Sequence, residues 1–209
     1  MITVYGAWPT RSFRVIWVLE ELGLEYRIRP VDLRQRLADA EFVALNPAGF
    51  LPAIEDDGVS MVDSIAILEY IIVRYGGGRF APAPNDPSFP TYQQFLHLGE
   101  SGLAAYLNIV VACRFLAPEG EKQNWGTRAA EQMFFNRLTL VSRQLARASM
   151  MAGNEFTAAD ISVIYALGMA ERLGLAERFG PEIADYRNRM SARPAYKVAM
   201  EKWSPARVA

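Results

Sequence analysis

Residues 2–5 are β-rich, and Val15, Val18, Leu19 and Leu22 then fall at i, i+3, i+4 and i+7 with Gly23 placed as a helix stop. The pattern predicts a strand followed by a helix. Residues 26–31 read as a second strand in which Pro30 limits pairing, and residues 33–45 as a second helix ended by Asn46 and Pro47. Residues 53–55 and 59–62 flank Asp57 and Gly58, a dipeptide suited to the positive φ values of a two-residue hairpin turn. Ile65, Leu68, Ile72 and Tyr75 then recur at helical spacing. The predicted order is βαβαββα around a mixed four-stranded sheet.

Residues 76–90 hold three glycines and four prolines, a density that neither a helix nor a central strand accommodates. Beyond them the apolar positions keep helical intervals, as in Phe95, Leu96, Leu103 and Leu107 and again in Phe134, Phe135 and Leu138. Thr157 with Asp160 forms a capping-box pattern, and Phe156 with Ile161 a hydrophobic staple, so a helix is predicted to start at residue 158. The fold class expected is therefore α/β plus all-α. Residues 1–76 form the first domain, 77–90 a linker and 91–209 an all-helical domain.

Charge sharpens this division: residues 1–76 carry 7 basic and 11 acidic groups, a net −4, and the remainder carries a net +3. Over all 209 residues the net charge is only −1, which offers no general attraction to nucleic acid. Arg27, Arg29, Arg34 and Arg36 are interrupted by Asp32, Asp39 and Glu41 and read as a solvated face. The longest uncharged apolar stretch, residues 101–113, has 13 residues against the roughly 18 a membrane span needs, so no membrane association is expected. No leader pattern is visible, and the expected compartment is the cytoplasm.

One cysteine, Cys113, excludes an intrachain disulfide, and one histidine, His97, leaves no Cys/His zinc set. No metal is expected. A histidine-based nucleophile system would have to run through His97, which reads as a helix-face residue, and Cys113 in its apolar run reads as an inert thiol.

The segments NPAGFLPAI from Asn46 and VDSIAILEYI from Val62, with LGLEY from Leu22, the Gly/Pro stretch and FTAADI from Phe156, resemble the cytosolic glutathione transferases. The likeness covers nearly the whole chain and is closest to Ser-type bacterial members, without fixing a subclass. It implies a thioredoxin-like first domain that binds glutathione as co-substrate. A cis peptide before Pro52 is then expected to leave the Leu51 backbone to the cysteinyl amide of the tripeptide, which adds like a short strand. Asp63 and Ser64, at the start of a helix, would receive the γ-glutamyl end: Ser64 the carboxylate, Asp63 the ammonium. The family more often has Glu or Gln before that Ser.

The glutathione thiol has an ordinary pKa of about 8.5, so the enzyme needs a donor that favours thiolate. The loop after the first strand offers Thr10 and Ser12, neither at the usual Ser spacing; Thr10, nearer the apex, is preferred, and Tyr5 is a third candidate. Trp8 and Tyr106 are candidates to line a pocket for the electrophile. Phe50 is a departure: the family often has Lys there, contacting the glycyl carboxylate, and Arg34 and Arg36 are the cations nearest in sequence.

The resemblance implies a transferase, active in detoxification, that delivers glutathione to a small electrophile. A glutathione-dependent isomerase, a reductive dehalogenase and a disulfide reductase would share these features. The alternative from another class is a non-catalytic binding or assembly module. A homodimer is expected from the resemblance and from the apolar helices of the second half.

Overall fold

The computed structural model describes residues 1–203; residues 204–209, which the expected helical domain included, lie outside the described residues. The chain forms two compact units, one of residues 1–79 together with 191–203 and one of residues 80–190.

The first unit contains β1 (Ile2–Gly6), α1 (Ser12–Leu22), β2 (Tyr26–Pro30), α2 (Ala40–Leu45), β3 (Ala53–Asp56), β4 (Val59–Val62) and α3 (Ser64–Tyr75). Its four strands lie in the order β2-β1-β3-β4, with β1 and β2 parallel and both other pairs antiparallel. This is the expected βαβαββα order and mixed sheet. The hairpin turn behaves as its dipeptide predicts, with φ of 47° at Asp57 and 81° at Gly58. Successive side chains of β1 face opposite sides of the sheet. Tyr5 joins Ala7, Val31, Phe42, Leu51 and Ala53 in a buried cluster that takes in α2, while α1 packs against α3.

The helix predicted over 33–45 is shorter, α2 starting only at Ala40. Two aspartates explain the difference. Asp32 accepts from the Arg34 N–H in a local turn, and Asp39 accepts from the Phe42 N–H as an N-cap, so helical backbone is set from residue 40 onward.

A last helix in this unit, outside the expected order, is α9 (Pro194–Trp203), which packs along α1. Two ion pairs fasten it: Arg193 to Glu21 at 2.7 Å and Lys202 to Glu20 at 2.5 Å. Phe13 and Trp17 of α1 meet Tyr196 edge-on, with ring centroids 5.2 and 4.9 Å apart.

The second unit is helical. It runs through α4 (Phe89–His97), a π-helical stretch Leu98–Ala104, α5 (Ala105–Val111) and a further π-helical stretch Ala112–Leu116, then α6 (Trp125–Leu145), α7 (Ala158–Arg172) and α8 (Pro181–Ser191). By length and composition alone the run Phe89–Leu116 would suffice to cross a membrane, which the 13-residue uncharged stretch did not indicate; 44% of that window is buried. Its packing accounts for the burial. Ser162 of α7 donates to the Leu96 carbonyl at 2.7 Å, and a Cβ on Gly99 would lie 2.6 Å from the Ser162 carbonyl carbon, so the two helices touch backbone to backbone. α7 starts at Ala158 with the Thr157–Asp160 capping box in place.

Candidate functional site

The sheet register gathers the predicted residues at one end of the first unit. Ala53 pairs with both Tyr5 and Val62, so Leu51 and Pro52, the loop after Gly6 and the Asp63-Ser64 pair all continue past the same edge. The N-termini of α1 and α3 open there. The Leu51–Pro52 bond is cis, as the family resemblance implies, and Leu51 stands outside the paired residues of β3, which begin at Ala53.

Ser12 is the first residue of α1 and is completely buried. Gly6 makes room for it: a Cβ there would lie 2.8 Å from the Ser12 Cβ. Thr10, half-buried in the turn before the helix, has its Oγ1 2.8 Å from Ser12 Oγ and 2.6 Å from the Ala7 carbonyl oxygen. Thr10 and Ser12 are thus one hydroxyl pair, of which only Thr10 retains exposed surface. Trp8, also half-buried, sets its ring edge-on to Trp203, centroids 4.3 Å apart.

Tyr5 is not part of this pair. Its phenol lies on the α2 side, 2.6 Å from a Glu55 oxygen and 3.0 Å from a Glu41 oxygen, and burial together with these carboxylates holds its pKa well above the ordinary phenol value.

Asp63 caps α3, its Oδ1 accepting from the Ile65 and Ala66 N–H groups at 2.8 and 3.1 Å. Its φ of 73° is a conformation that non-glycine residues hold only where the surroundings impose it, and such strain collects at functional sites. Ser64 beside it is buried, and its Oγ accepts from Arg14 Nη1 at 3.0 Å. The sequence reading missed Arg14. Its guanidinium is fully buried and ties the start of α1 to the start of α3; the available signal was a lone cation inside the apolar run FRVIWV.

Phe50 carries an exposed ring, while its carbonyl accepts from Asn46 Nδ2 at 2.5 Å. Arg36 reaches this loop, donating from Nε to the Gly49 carbonyl at 2.8 Å and from Nη1 to the Leu33 carbonyl. The Arg34 residue is exposed. In the helical unit Tyr106 lies under the Arg137 guanidinium, 4.4 Å from ring centroid to carbon. His97 is exposed and bonded to Gln93 of its own helix. Among the described residues no group of three or more His, Cys, Asp or Glu side chains is placed to hold a metal.

The edge therefore offers two helix N-termini, a hydroxyl pair, an acid beside a buried serine, and backbone beyond a strand end. That set suits a small anionic peptide.

The glutathione S-transferase N-terminal domain family model matches residues 1–72. The chain is 28% identical to glutathione S-transferase 3 of Schizosaccharomyces pombe, over 97% of this chain and 88% of that protein. It is 30% identical to glutathione S-transferase PM239X14 of Arabidopsis thaliana, over 77% of this chain and 78% of that protein. A sphingomonad glutathione S-transferase solved with glutathione matches with a TM-score of 0.83 at 25% identity, covering 97% of this chain and 99% of that one. A glutathione transferase of Phanerochaete chrysosporium, URE2P6, solved with oxidized glutathione, shares the fold with a TM-score of 0.87 at 24% identity, covering 100% and 97%. On these likenesses, which agree with the sheet order and the helical second unit, the chain belongs to the glutathione S-transferase family.

Proposed function

We propose that the protein is a glutathione transferase in which Thr10 is the hydroxyl that favours the thiolate of bound glutathione. The observation that carries this choice is the Thr10–Ser12 pair: the hydroxyls are 2.8 Å apart, Ser12 is fully buried and Thr10 is the member with exposed surface. The α1 N-terminus adds its partial positive charge to the same edge.

Leu51 supplies backbone for the cysteinyl amide, after the cis-Pro52 bend. Ser64 takes the γ-glutamyl carboxylate: Arg14 Nη1 donates to its oxygen, which leaves the hydroxyl's own proton for the carboxylate. Asp63 holds the ammonium through the carboxylate oxygen that its capping bonds do not use. Arg36, rather than a residue at position 50, is the cation beside the glycyl end. Trp8 contributes apolar surface toward the electrophile.

In the reaction the thiol gives its proton to solvent and the sulfur lone pair attacks the electrophile. A C–S bond forms, and the leaving group departs with the electrons of the bond that breaks. Thiolate activation and proximity are the chain's contribution. The natural electrophile is a small compound met in the cytoplasm during detoxification.

A homodimer completes the proposal. Ile109, Phe115, Leu116, Trp125 and Met133 of the helical unit are exposed apolar side chains of the kind a second copy covers; sedimentation showing only a 23.4 kDa species at micromolar concentration would remove it.

Thr10→Ala tests the catalytic assignment. Loss of one donor to an anion is worth about 1.5–3 kcal/mol, so the bound thiol's pKa should rise by roughly one to two units. An unmoved pKa would return Thr10 to a turn-capping role.

A further inference from the structure

The Ala7 carbonyl is oversubscribed. A carbonyl oxygen has two lone pairs, and four donors converge on this one: the Thr10 N–H at 3.0 Å, the Thr10 hydroxyl at 2.6 Å, the Ser12 hydroxyl at 3.3 Å and the Trp203 indole N–H at 3.2 Å. The indole N–H is shared, lying 3.1 Å from Ser12 Oγ as well.

We infer that Trp203 is a positioning residue of the thiolate site, whose indole N–H orders the Ser12 and Thr10 hydroxyls into a one-directional chain of donors ending at the glutathione sulfur. The inference rests on the assignment of Thr10 made above. It follows from the bond count. When Thr10 turns its proton outward, the Ala7 carbonyl keeps the Thr10 N–H and a share of the bifurcated indole N–H, so no buried acceptor is orphaned. Thr10 Oγ1 then accepts from the Ser12 hydroxyl at 2.8 Å, and Ser12 Oγ accepts from Trp203 at 3.1 Å. Each donor in such a chain strengthens the next, and the terminal O–H becomes a better donor to an anion. Without the indole N–H, the Ser12 proton is drawn back to Ala7 and the chain loses its direction.

The indole is held for this task. Trp203 is buried, with Trp8 and Phe13 packed at centroid distances of 4.3 and 4.9 Å. The neighbouring Lys202 pairs with Glu20, and Arg193, immediately before α9, pairs with Glu21, which fixes α9 along α1.

The test is the pH dependence of the bound thiol in Trp203→Phe, which keeps an aromatic ring and removes the N–H. The expected rise in thiol pKa is about 0.5–1 unit, from the net worth of one neutral hydrogen bond. Glutathione KM should be unchanged, and kcat/KM should fall roughly threefold to tenfold below that pKa and recover at alkaline pH. Ser12→Ala should give a similar rise, and Trp203→Phe should add nothing in the Ser12→Ala background. A purely packing role would instead lower activity at every pH. Replacement of Trp203 by benzothienylalanine, which keeps the ring shape and lacks the N–H, gives the same readout should the Phe variant fail to fold. If Thr10→Ala raises the pKa and neither Trp203 change does, the inference falls and the Thr10 assignment stands; if Thr10→Ala also leaves it unmoved, both fall.

Discussion

Asp160 is a completely buried carboxylate that four donors of the helical unit share. The Met151 N–H reaches one oxygen at 2.9 Å and the Tyr186 hydroxyl the same oxygen at 2.7 Å, while the Thr157 N–H and hydroxyl reach the other at 2.8 and 3.1 Å. Burial pushes the carboxyl above its ordinary pKa, and all four donors pull it back. In Asp160→Ala those donors lose their acceptor in a place water does not reach. Each orphaned buried group costs about 1–3 kcal/mol, and because the four relax together the expected loss is about 3–5 kcal/mol. For a chain of this size that is a fall in Tm of roughly 6–20 °C. Thr157→Ala removes one donor and leaves the carboxylate three, so its cost should stay near the usual cap value of about 0.5–2 kcal/mol. Urea unfolding followed by circular dichroism measures both. The reasoning is refuted if Asp160→Ala costs no more than Thr157→Ala, since the sequence pattern alone assigns the two positions similar weight and only the buried network separates them.

Phe50→Lys should tighten glutathione binding about threefold to tenfold by calorimetry, Arg36→Ala should weaken it, and Arg34→Ala should leave it unchanged; no response to any of the three would mean that the glycyl end is not held at this loop. Tyr5→Phe should leave the bound thiol's pKa where it is, because the phenol serves Glu41 and Glu55, and should cost about 0.5–1.5 kcal/mol of stability; a raised thiol pKa would place Tyr5 in the site after all. Asp39, whose carboxylate is held below its ordinary pKa of 3.8 by the Arg29 guanidinium and the Phe42 N–H, contributes stability that is present above that value and is lost as pH falls through the lower folded value. An NMR titration should find Asp39 below 3.8, and a midpoint at or above it would remove the pair from the account.

Local patterns made most of the first unit legible. β-rich runs placed its strands and period-3.6 spacing two of its helices, Asp57-Gly58 set the hairpin, and in the second unit Thr157 with Asp160 marked the start of α7. The helix expected over 33–45 forms only from residue 40, because Asp32 bonds the Arg34 N–H in a local turn that competes with helix and Asp39 caps the helix at residue 40. What local pattern does not carry is the long-range partner. The bond from Arg14 to Ser64 spans 50 positions and that from Trp203 to Ser12 spans 191, so neither spacing nor propensity points to them. The same holds for Asp160, whose cap was legible and whose bond to Tyr186, 26 positions away, was not. The preference for Thr10 over Ser12 follows in the sequence from its place near the loop apex; the complete burial of Ser12, which supports it, is not something that two hydroxyls two residues apart announce.

The central claim is that this chain binds glutathione and lowers the pKa of its thiol. Titrating the purified protein with glutathione and recording thiolate absorbance across pH tests it directly. The account predicts saturable binding with a bound-thiol pKa clearly below the free value of about 8.5, and a return toward that value in Thr10→Ala. Binding with an unshifted thiol pKa, together with no reaction against haloaromatics, epoxides, isothiocyanates, maleyl compounds or mixed disulfides, would contradict it and leave the fold as a binding or assembly module.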